Sequence, residues 1–354
     1  MEQSTKEKVL LGVSGGVDSS VAAIMLQDQG YEVIGVTMKL WRDEDFSNGE
    51  ALDTVEQAKA VCDKLGIKHV VCDLGEDFKK FVVDDFISCY ADCRTPNPCI
   101  ECNRHLKFGK MIELADSLGA RYVATGHYAR CCYDEDLKRY VIKRSFAGKK
   151  DQTYVLYVVD GKILDRILFP LGEFQSKDDI RQVALDRGLV TAKKRDSQEI
   201  CFIPNNDTRG FIDKYVPTKS GNVVHKSGKV LGKHNGICHY TIGQRKGMGI
   251  SYPEPIFVTK LDKENNTVYV GSNEDLFSTE LTAKRVNWLT FDSLNEPIRL
   301  TARVRYSAPD VPCTVYPMGD RIKVVLYEPQ RAITRGQSVV FYDGDVLVGG
   351  GIIE

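Results

Sequence analysis

Gly12-Val13-Ser14-Gly15-Gly16-Val17-Asp18-Ser19-Ser20 is the stretch on which the fold turns. Ahead of it, residues 8–13 (KVLLGV) follow Lys8 with an uncharged, mostly aliphatic run and read as a short buried strand. Behind it, residues 18–29 place Val21, Ala22, Met25 and Leu26 on one helical face, with Gly30 as a stop. At the join, two glycines let the backbone turn tightly and approach an anion. Ser14, Ser19 and Ser20 add hydroxyl donors. The new helix aims its free N–H groups and the positive end of its dipole at the same point. The stretch therefore reads as a pyrophosphate cradle formed by Gly12, Val13, Ser14, Gly15, Gly16, Val17, Asp18 and Ser19. It lacks the Gly-Lys-Ser/Thr ending of a Walker A loop and the spacing of a dinucleotide loop. Asp18 reads either as a hard-oxygen ligand for Mg2+ or as a first-turn helix carboxylate.

Working outward, strands at residues 31–37, 67–73 and 121–125 alternate with helices at 54–65 and 104–118. Alternation of this kind predicts an α/β domain with a doubly wound parallel sheet, whose ligands bind at the carboxyl ends of the strands. Met38 follows the second strand and Gly126 the fourth, so both fall at that edge, beside an expected adenine. Beyond about residue 205 the texture changes to Gly-rich turns, and then to short alternating strands at 267–270, 299–306, 321–326 and 338–342. These predict a small central domain and a C-terminal β-barrel or sandwich. The expected division is 1–205, 206–275 and 276–354.

The 354 residues carry 48 Lys plus Arg against 49 Asp plus Glu, a net charge of −1, so any nucleic-acid surface is local rather than global. Hydrophobic residues at 42% and charged residues at 27% exclude disordered, collagenous and coiled-coil classes. No apolar run reaches the ~20 residues of a membrane span, and the first eight residues have no secretory pattern, which points to the cytoplasm. Eight of the eleven cysteines lie between Cys62 and Cys132. An odd total in such a chain argues for catalytic or metal chemistry over a disulfide framework.

Two cysteine motifs stand out. Thr95-Pro96-Asn97-Pro98-Cys99-Ile100-Glu101-Cys102-Asn103-Arg104 puts Cys102 before a predicted helix, where the N-terminal field and Arg104 would lower a thiol pKa. Cys201 follows the basic run Lys193-Lys194-Arg195. Cys99, Cys102 and Cys201 also make three thiolates, enough to hold a [4Fe–4S] cluster with one open iron. Cys89, Cys93, Cys99 and Cys102 are a zinc alternative. Cys131 and Cys132 are adjacent, and Cys62, Cys72, Cys238 and Cys313 read as packing residues. Lys138, Arg139, Lys143, Arg144, Lys149 and Lys150 fall within thirteen residues that contain no acid, a strip suited to phosphates. The alternative is a solvated hairpin. Gln244-Arg245-Lys246 in a Gly-flanked loop, and Arg303, Arg305 and Tyr306, offer further basic and stacking groups.

S-G-G-V-D-S-S matches the PP-loop of ATP pyrophosphatases. With T-P-N-P-x-x-x-C-N, A-T-G-H-Y (124–128), K-D-Q-T-Y (150–154), T-A-K-K-x-D-S-x-x-I-C-F (191–202) and Y-T-I-G-Q-R-K-G (240–247) in one order, the whole chain resembles the tRNA-specific 2-thiouridylases of bacteria and mitochondria. That resemblance implies ATP as substrate with Mg2+, adenylation of the C2 oxygen of the wobble uridine at tRNA position 34, and replacement of that oxygen by sulfur. It implies a persulfide on Cys201, attack by Cys102 and a Cys102–Cys201 disulfide. It implies tRNAs for Lys, Glu and Gln as substrates and a cysteine desulfurase or relay protein as sulfur donor. It places Asn97, Pro98 and Cys99 beside the target base, and His127, Gly148, Lys149, Lys150, Arg305, Tyr306 and Gln337 against tRNA. It also sets Asp151 and Gln152 on the active-site wall. One position departs from the family: Cys99 stands where Asp is common, which leaves the sulfur route open between persulfide relay and cluster. Two further readings remain, another PP-loop adenylating ligase and a zinc-stabilised RNA-binding module.

Overall fold

The computed structural model describes residues 6–41, 50–189, 191, 200–203, 205 and 207–354. The chain divides into two compact units, residues 1–82, 99–205 and 345–347 in one and 83–98, 206–344 and 348–354 in the other.

The first unit contains β1 (Lys8–Gly12), α1 (Val17–Asp28), β2 (Glu32–Lys39), α2 (Glu50–Leu65), β3 (Lys68–Asp73) and the short α3 (Gly75–Phe78). The chain then passes through α4 (Asp84–Ala91) of the second unit. It returns for α5 (Pro98–Cys102), α6 (Met111–Ser117), β4 (Tyr122–Ala124), the hairpin β5 (Ala129–Asp134) and β6 (Arg139–Arg144), β7 (Ile167–Leu168) and α7 (Lys177–Asp186). Five strands run parallel in the order β3-β2-β1-β4-β7. The expected doubly wound sheet is therefore present, and its central strand is the KVLLG run. Val9, Leu10 and Leu11 are wholly buried, as a parallel strand covered on both faces requires. Val9 and Leu11 join Val21, Ala22 and Leu26 of α1 and Ile180 and Ala184 of α7 in one core. At about 25 cal/mol per Å2 of apolar surface, each fully buried Leu there contributes about 2–3 kcal/mol, so α1 is held by packing rather than by its uncapped N-terminus.

In the second unit, α8 (Thr208–Tyr215) precedes β8 (Gly221–His225), β9 (Val230–His234), β10 (Phe257–Asp262) and β11 (Thr267–Gly271), a four-stranded sheet in the order β10-β11-β8-β9. Val223, Met248, Val258, Val268 and Val270 form its core. The Gly-rich turn over residues 226–229 is the tip of the β8–β9 hairpin. The remaining strands are β12 (Phe277–Trp288), β13 (Ile298–Arg303), β14 (Val311–Met318), β15 (Arg321–Arg331), β16 (Ser338–Asp343) and β17 (Val346–Ile353). They run β12-β15-β14-β13-β16-β17, and β17 pairs back with β12, which closes a six-stranded barrel. Val311, Cys313 and Val315 of β14, with Ile322, Val324 and Leu326 of β15, point inward at the two-residue period of a half-buried strand. Between barrel and sandwich, closure decides for the barrel.

Candidate active site

The phosphate loop leaves β1 at Gly12 and enters α1 at Val17. Gly15 has φ +69°, and a Cβ there would lie 2.9 Å from Gln57 Cβ, so only glycine fits the turn. The Ser14 amide donates to Ser19 Oγ at 3.2 Å, and the Ser20 hydroxyl donates to Gly16 O at 2.8 Å. The Gly16 cap provides no side-chain acceptor, so the first amides of α1 are left for a ligand. Gly126 closes the other side: a Cβ there would come within 3.1 Å of the Ser19 amide nitrogen. Met38 lies within β2, next to its last residue, rather than after it. It remains at the carboxyl end of the strand.

Asp18 is not arranged as a metal ligand. Lys177 Nζ donates to both of its carboxylate oxygens at 2.7 Å, and Tyr128 Oη donates to Oδ1 at 2.8 Å. The Lys177 side chain is only 10% exposed. Sequence reading missed this lysine. The available signal was its place in the first turn of α7, where a cation opposes the helix dipole and needs a compensating partner.

Three of the sequence motifs meet around Tyr128. Its amide donates to Gln152 Oε1 at 2.9 Å, and the Gln152 amide donates back to Tyr128 O at 2.9 Å. Asp151 is buried and accepts from the Ser145 amide and from the Thr153 hydroxyl, which fixes the turn over Gly148–Lys150. Thr191 reaches the Ser20 hydroxyl at 3.5 Å, although the rest of that motif up to Glu199, with Lys193, Lys194 and Arg195, lies outside the described residues. His127 is buried against Phe108 and Phe169 and shares a 2.8 Å hydrogen bond with Thr125. Burial, then the nearby Lys107 charge, holds its pKa well below the usual histidine value, so it is neutral at pH 7.

The cysteine motif folds differently from the expectation. Cys102 does not precede a helix; it ends α5, and the helix continues without a break as a π-helix over Asn103–Lys110 into α6. Cys102 is buried and its thiol is raised, by burial first, with Lys107 opposing and Cys99 adding. Arg104 lies toward Glu101, at 3.6 Å. Cys201 is exposed to solvent. Its pKa is pushed up to about 12 by burial, then by Cys102 and Cys99, against the pull of Lys107. Burial keeps the Cys102 thiol protonated at rest. All eleven cysteines are free.

Among the described residues, no three His, Cys, Asp or Glu side chains converge in a way that would hold a metal ion. Neither the [4Fe–4S] set Cys99, Cys102 and Cys201 nor the zinc set Cys89, Cys93, Cys99 and Cys102 is assembled. Cys89 instead donates to Asp85. Cys62, Cys238 and Cys313 are buried, whereas Cys72 is partly exposed.

The basic strip lies on the β5–β6 hairpin and the turn after it. Lys143 is paired with Asp134 at 3.1 Å, whereas Lys138 and Lys149 are exposed. In the second unit Tyr306 is 44% exposed, while Arg303 is tied to Asp310 at 2.8 Å. Arg305 Nε is buried without a hydrogen-bond partner among the described residues. Gln337 spends its amide on Thr95 O at 2.8 Å, and Gln244 folds back on Thr241 and Lys246.

Three family models tile the chain: a tRNA methyl transferase HUP domain over residues 7–205, a tRNA methyl transferase PRC-barrel domain over 209–272 and an aminomethyltransferase β-barrel domain over 278–353. The tRNA-specific 2-thiouridylase MnmA of Clostridioides difficile (strain 630) is 50% identical over 98% of this chain and 98% of its own. The chain belongs to the tRNA-specific 2-thiouridylase family. Relatives of the same name from Clostridium botulinum (strain Alaska E43 / Type E3) and Acetivibrio thermocellus are 51% and 48% identical, each over 99% of this chain and over 98% and 100% of their own.

Proposed function

We propose that the protein is a tRNA-uridine 2-sulfurtransferase that uses ATP to adenylate the C2 oxygen of the wobble uridine and then replaces that oxygen with sulfur. The observation that carries the reading is the presence, in one compact unit, of a glycine loop at the carboxyl edge of a parallel sheet together with Cys102 and Cys201. A carbonyl oxygen is a poor leaving group until adenylated, and sulfur is a better nucleophile than water. ATP seats its phosphates on the loop Gly12–Ser19, with adenine toward Met38 and Gly126. Asp18 is engaged by Lys177 and Tyr128 and does not fit as the Mg2+ ligand, so Lys177 is the positive group beside the phosphates.

The terminal sulfur of a Cys201 persulfide attacks C2, and AMP departs with the oxygen. The Cys102 thiolate then attacks Cys201 Sγ. The Cys102–Cys201 disulfide forms, the sulfane sulfur takes the electron pair and stays on the base, and an external dithiol restores both cysteines. Asn97, Pro98 and Cys99 flank the base, which must leave the anticodon stack to be reached. Gly148, Lys149, Lys150, Arg305, Tyr306 and Gln337 face tRNA, whereas His127, expected there, is buried against Phe108 and Phe169 instead. The tRNAs are those for Lys, Glu and Gln, and a cysteine desulfurase or relay protein supplies the persulfide. The working domains are 1–205, 206–275 and 276–354. No described helix is long and apolar enough to cross a membrane, which is compatible with a cytoplasmic site of action.

The test is Cys201→Ala with a tRNA substrate, ATP and a sulfur source. Pyrophosphate release is expected to persist while 2-thiouridine disappears. Retained 2-thiouridine would overturn the assignment.

A further inference from the structure

Thr95 opens the stretch Thr95-Pro96-Asn97-Pro98-Cys99, and all three of its polar groups are taken by distant parts of the second unit, to which it belongs. Its amide donates to Arg335 O at 2.8 Å, its carbonyl accepts from Gln337 Nε2 at 2.8 Å, and its hydroxyl shares a 3.1 Å hydrogen bond with that of Thr241. Gly336 lies between the two barrel partners with φ +90°, and a Cβ there would stand 3.0 Å from both Arg94 Cβ and the Thr95 amide nitrogen. Only glycine lets the turn between β15 and β16 approach the segment this closely. The turn is itself fastened. The Gln337 amide donates to Thr334 O at 3.2 Å, the Gly336 amide to Ile353 O at 2.9 Å, and the Ile353 amide to Gln337 O at 2.8 Å. On the other side, the Thr241 amide donates to Gln244 Oε1 at 3.1 Å. Upstream, Cys93 takes φ +54°, its amide donates to Tyr90 O at 3.0 Å and the Arg94 amide to Cys89 O at 2.8 Å, a Schellman motif that ends α4.

Downstream of this anchor the chain is stiff. Proline fixes φ at positions 96 and 98, and it confines the residues before it, Thr95 and Asn97, to extended backbone. A chain held at Thr95 on three sides therefore sets the place and direction of the residues that follow. We propose that the turn over residues 334–337, together with Thr241, clamps Thr95 and through the proline segment positions Asn97, Pro98 and Cys99 against the target base, so that Gln337 and Thr241 are positioning residues for the reaction. This rests on the sulfurtransferase reading above. Thr241 belongs to the motif over residues 240–247, to which the chemistry above gives no part. Gln337 stands with the residues that face tRNA, yet its side-chain donor is spent on Thr95 O, so what it gives the reaction is placement of the base rather than affinity.

The experiment compares wild type with Thr241→Val, Thr241→Ser and Gln337→Glu in the full chain. Three quantities are read: the tRNA dissociation constant, the single-turnover rate of 2-thiouridine formation, and deuterium exchange of the peptide spanning residues 94–102. Valine keeps the shape of threonine without its hydroxyl, and ionised glutamate keeps the shape of glutamine without its donor. Both are expected to slow turnover about tenfold, to leave tRNA affinity within about twofold of wild type, and to speed exchange at the Thr95 amide. Thr241→Ser restores the hydroxyl and is expected to behave as wild type, which a role confined to packing would not produce. Weakened tRNA binding with an unchanged rate would overturn the proposal, as would a Ser variant as slow as Val, or exchange unchanged in both Val and Glu. If Gln337→Glu melts early, the Thr241 pair carries the test. Exchange needs neither tRNA nor ATP. A wild type that forms no 2-thiouridine therefore refutes the parent reading, while the clamp on Thr95 is still read directly.

Discussion

Replacing Lys177 with Met removes the cation that both oxygens of Asp18 contact at 2.7 Å. Two unit charges about 4 Å apart interact by about 4 kcal/mol at an effective dielectric of 20. Lys177 is 10% exposed but Asp18 is 32% exposed, so solvent screens part of this. A loss of about 2 kcal/mol is expected, below the 3–5 kcal/mol typical when a fully buried pair is broken. For a unit of about 200 residues that is a fall in melting temperature of about 4–8 °C. The assay is a double-mutant cycle with Asp18→Asn, read by thermal melting and by tRNA-dependent pyrophosphate release. The double variant should regain about 1–2 kcal/mol relative to the sum of the singles. It should not regain pyrophosphate release, because the phosphates still lack Lys177. Additive melting effects within about 0.5 kcal/mol would refute the pairing, and wild-type pyrophosphate release in Lys177→Met would refute its placement beside the phosphates.

Gly15→Ala forces a side chain into a φ of +69° with Gln57 Cβ 2.9 Å away, so ATP affinity should fall at least tenfold and the melting point should drop; a calorimetric titration with unchanged affinity would contradict the loop geometry. His127 has a folded-state pKa well below the unfolded value. Its stabilising effect is therefore complete above about pH 6.5 and is lost as pH falls below it, by about 1.4 kcal/mol per unit. His127→Gln should flatten the stability profile between pH 6.5 and 5, as followed by denaturant melts. Lys149→Gln with Lys150→Gln should weaken tRNA binding and reduce the slope of log affinity against log salt by about 1.5–2; an unchanged slope would remove that turn from the tRNA surface.

The parallel sheet was legible because its signal is local. After Lys8 the stretch VLLG is an apolar run that ends in a Gly-rich turn, as a doubly covered strand does. The barrel was half legible. Strand β13 and the first half of β15 alternate, but closure depends on β12 pairing with β17 across more than sixty residues, and no local pattern encodes that. At the site, the loop geometry could be read because glycine and serine carry it. The partner of Asp18 could not, since Lys177 is separated from it by 159 residues. The Cys102 environment was misjudged for a physical reason. A proline-rich approach followed by Cys suggests a helix start, yet Pro98 is itself the first helical residue and Cys102 lies a full turn inside. Burial then outweighs the dipole. The π-helix over Asn103–Lys110 has no sequence signature at all.

The central claim is that sulfur passes to the base from a persulfide on Cys201, with Cys102 closing a disulfide. It is tested most directly by a single anaerobic turnover. Protein loaded with isotopically labelled persulfide is mixed with tRNA and ATP, and the products are read by mass spectrometry without reductant. The account predicts labelled 2-thiouridine and the Cys102–Cys201 disulfide in equal amounts, with one AMP per base modified. Labelled 2-thiouridine with both cysteines still free, together with about four irons per chain that Cys99→Ala removes, would contradict it.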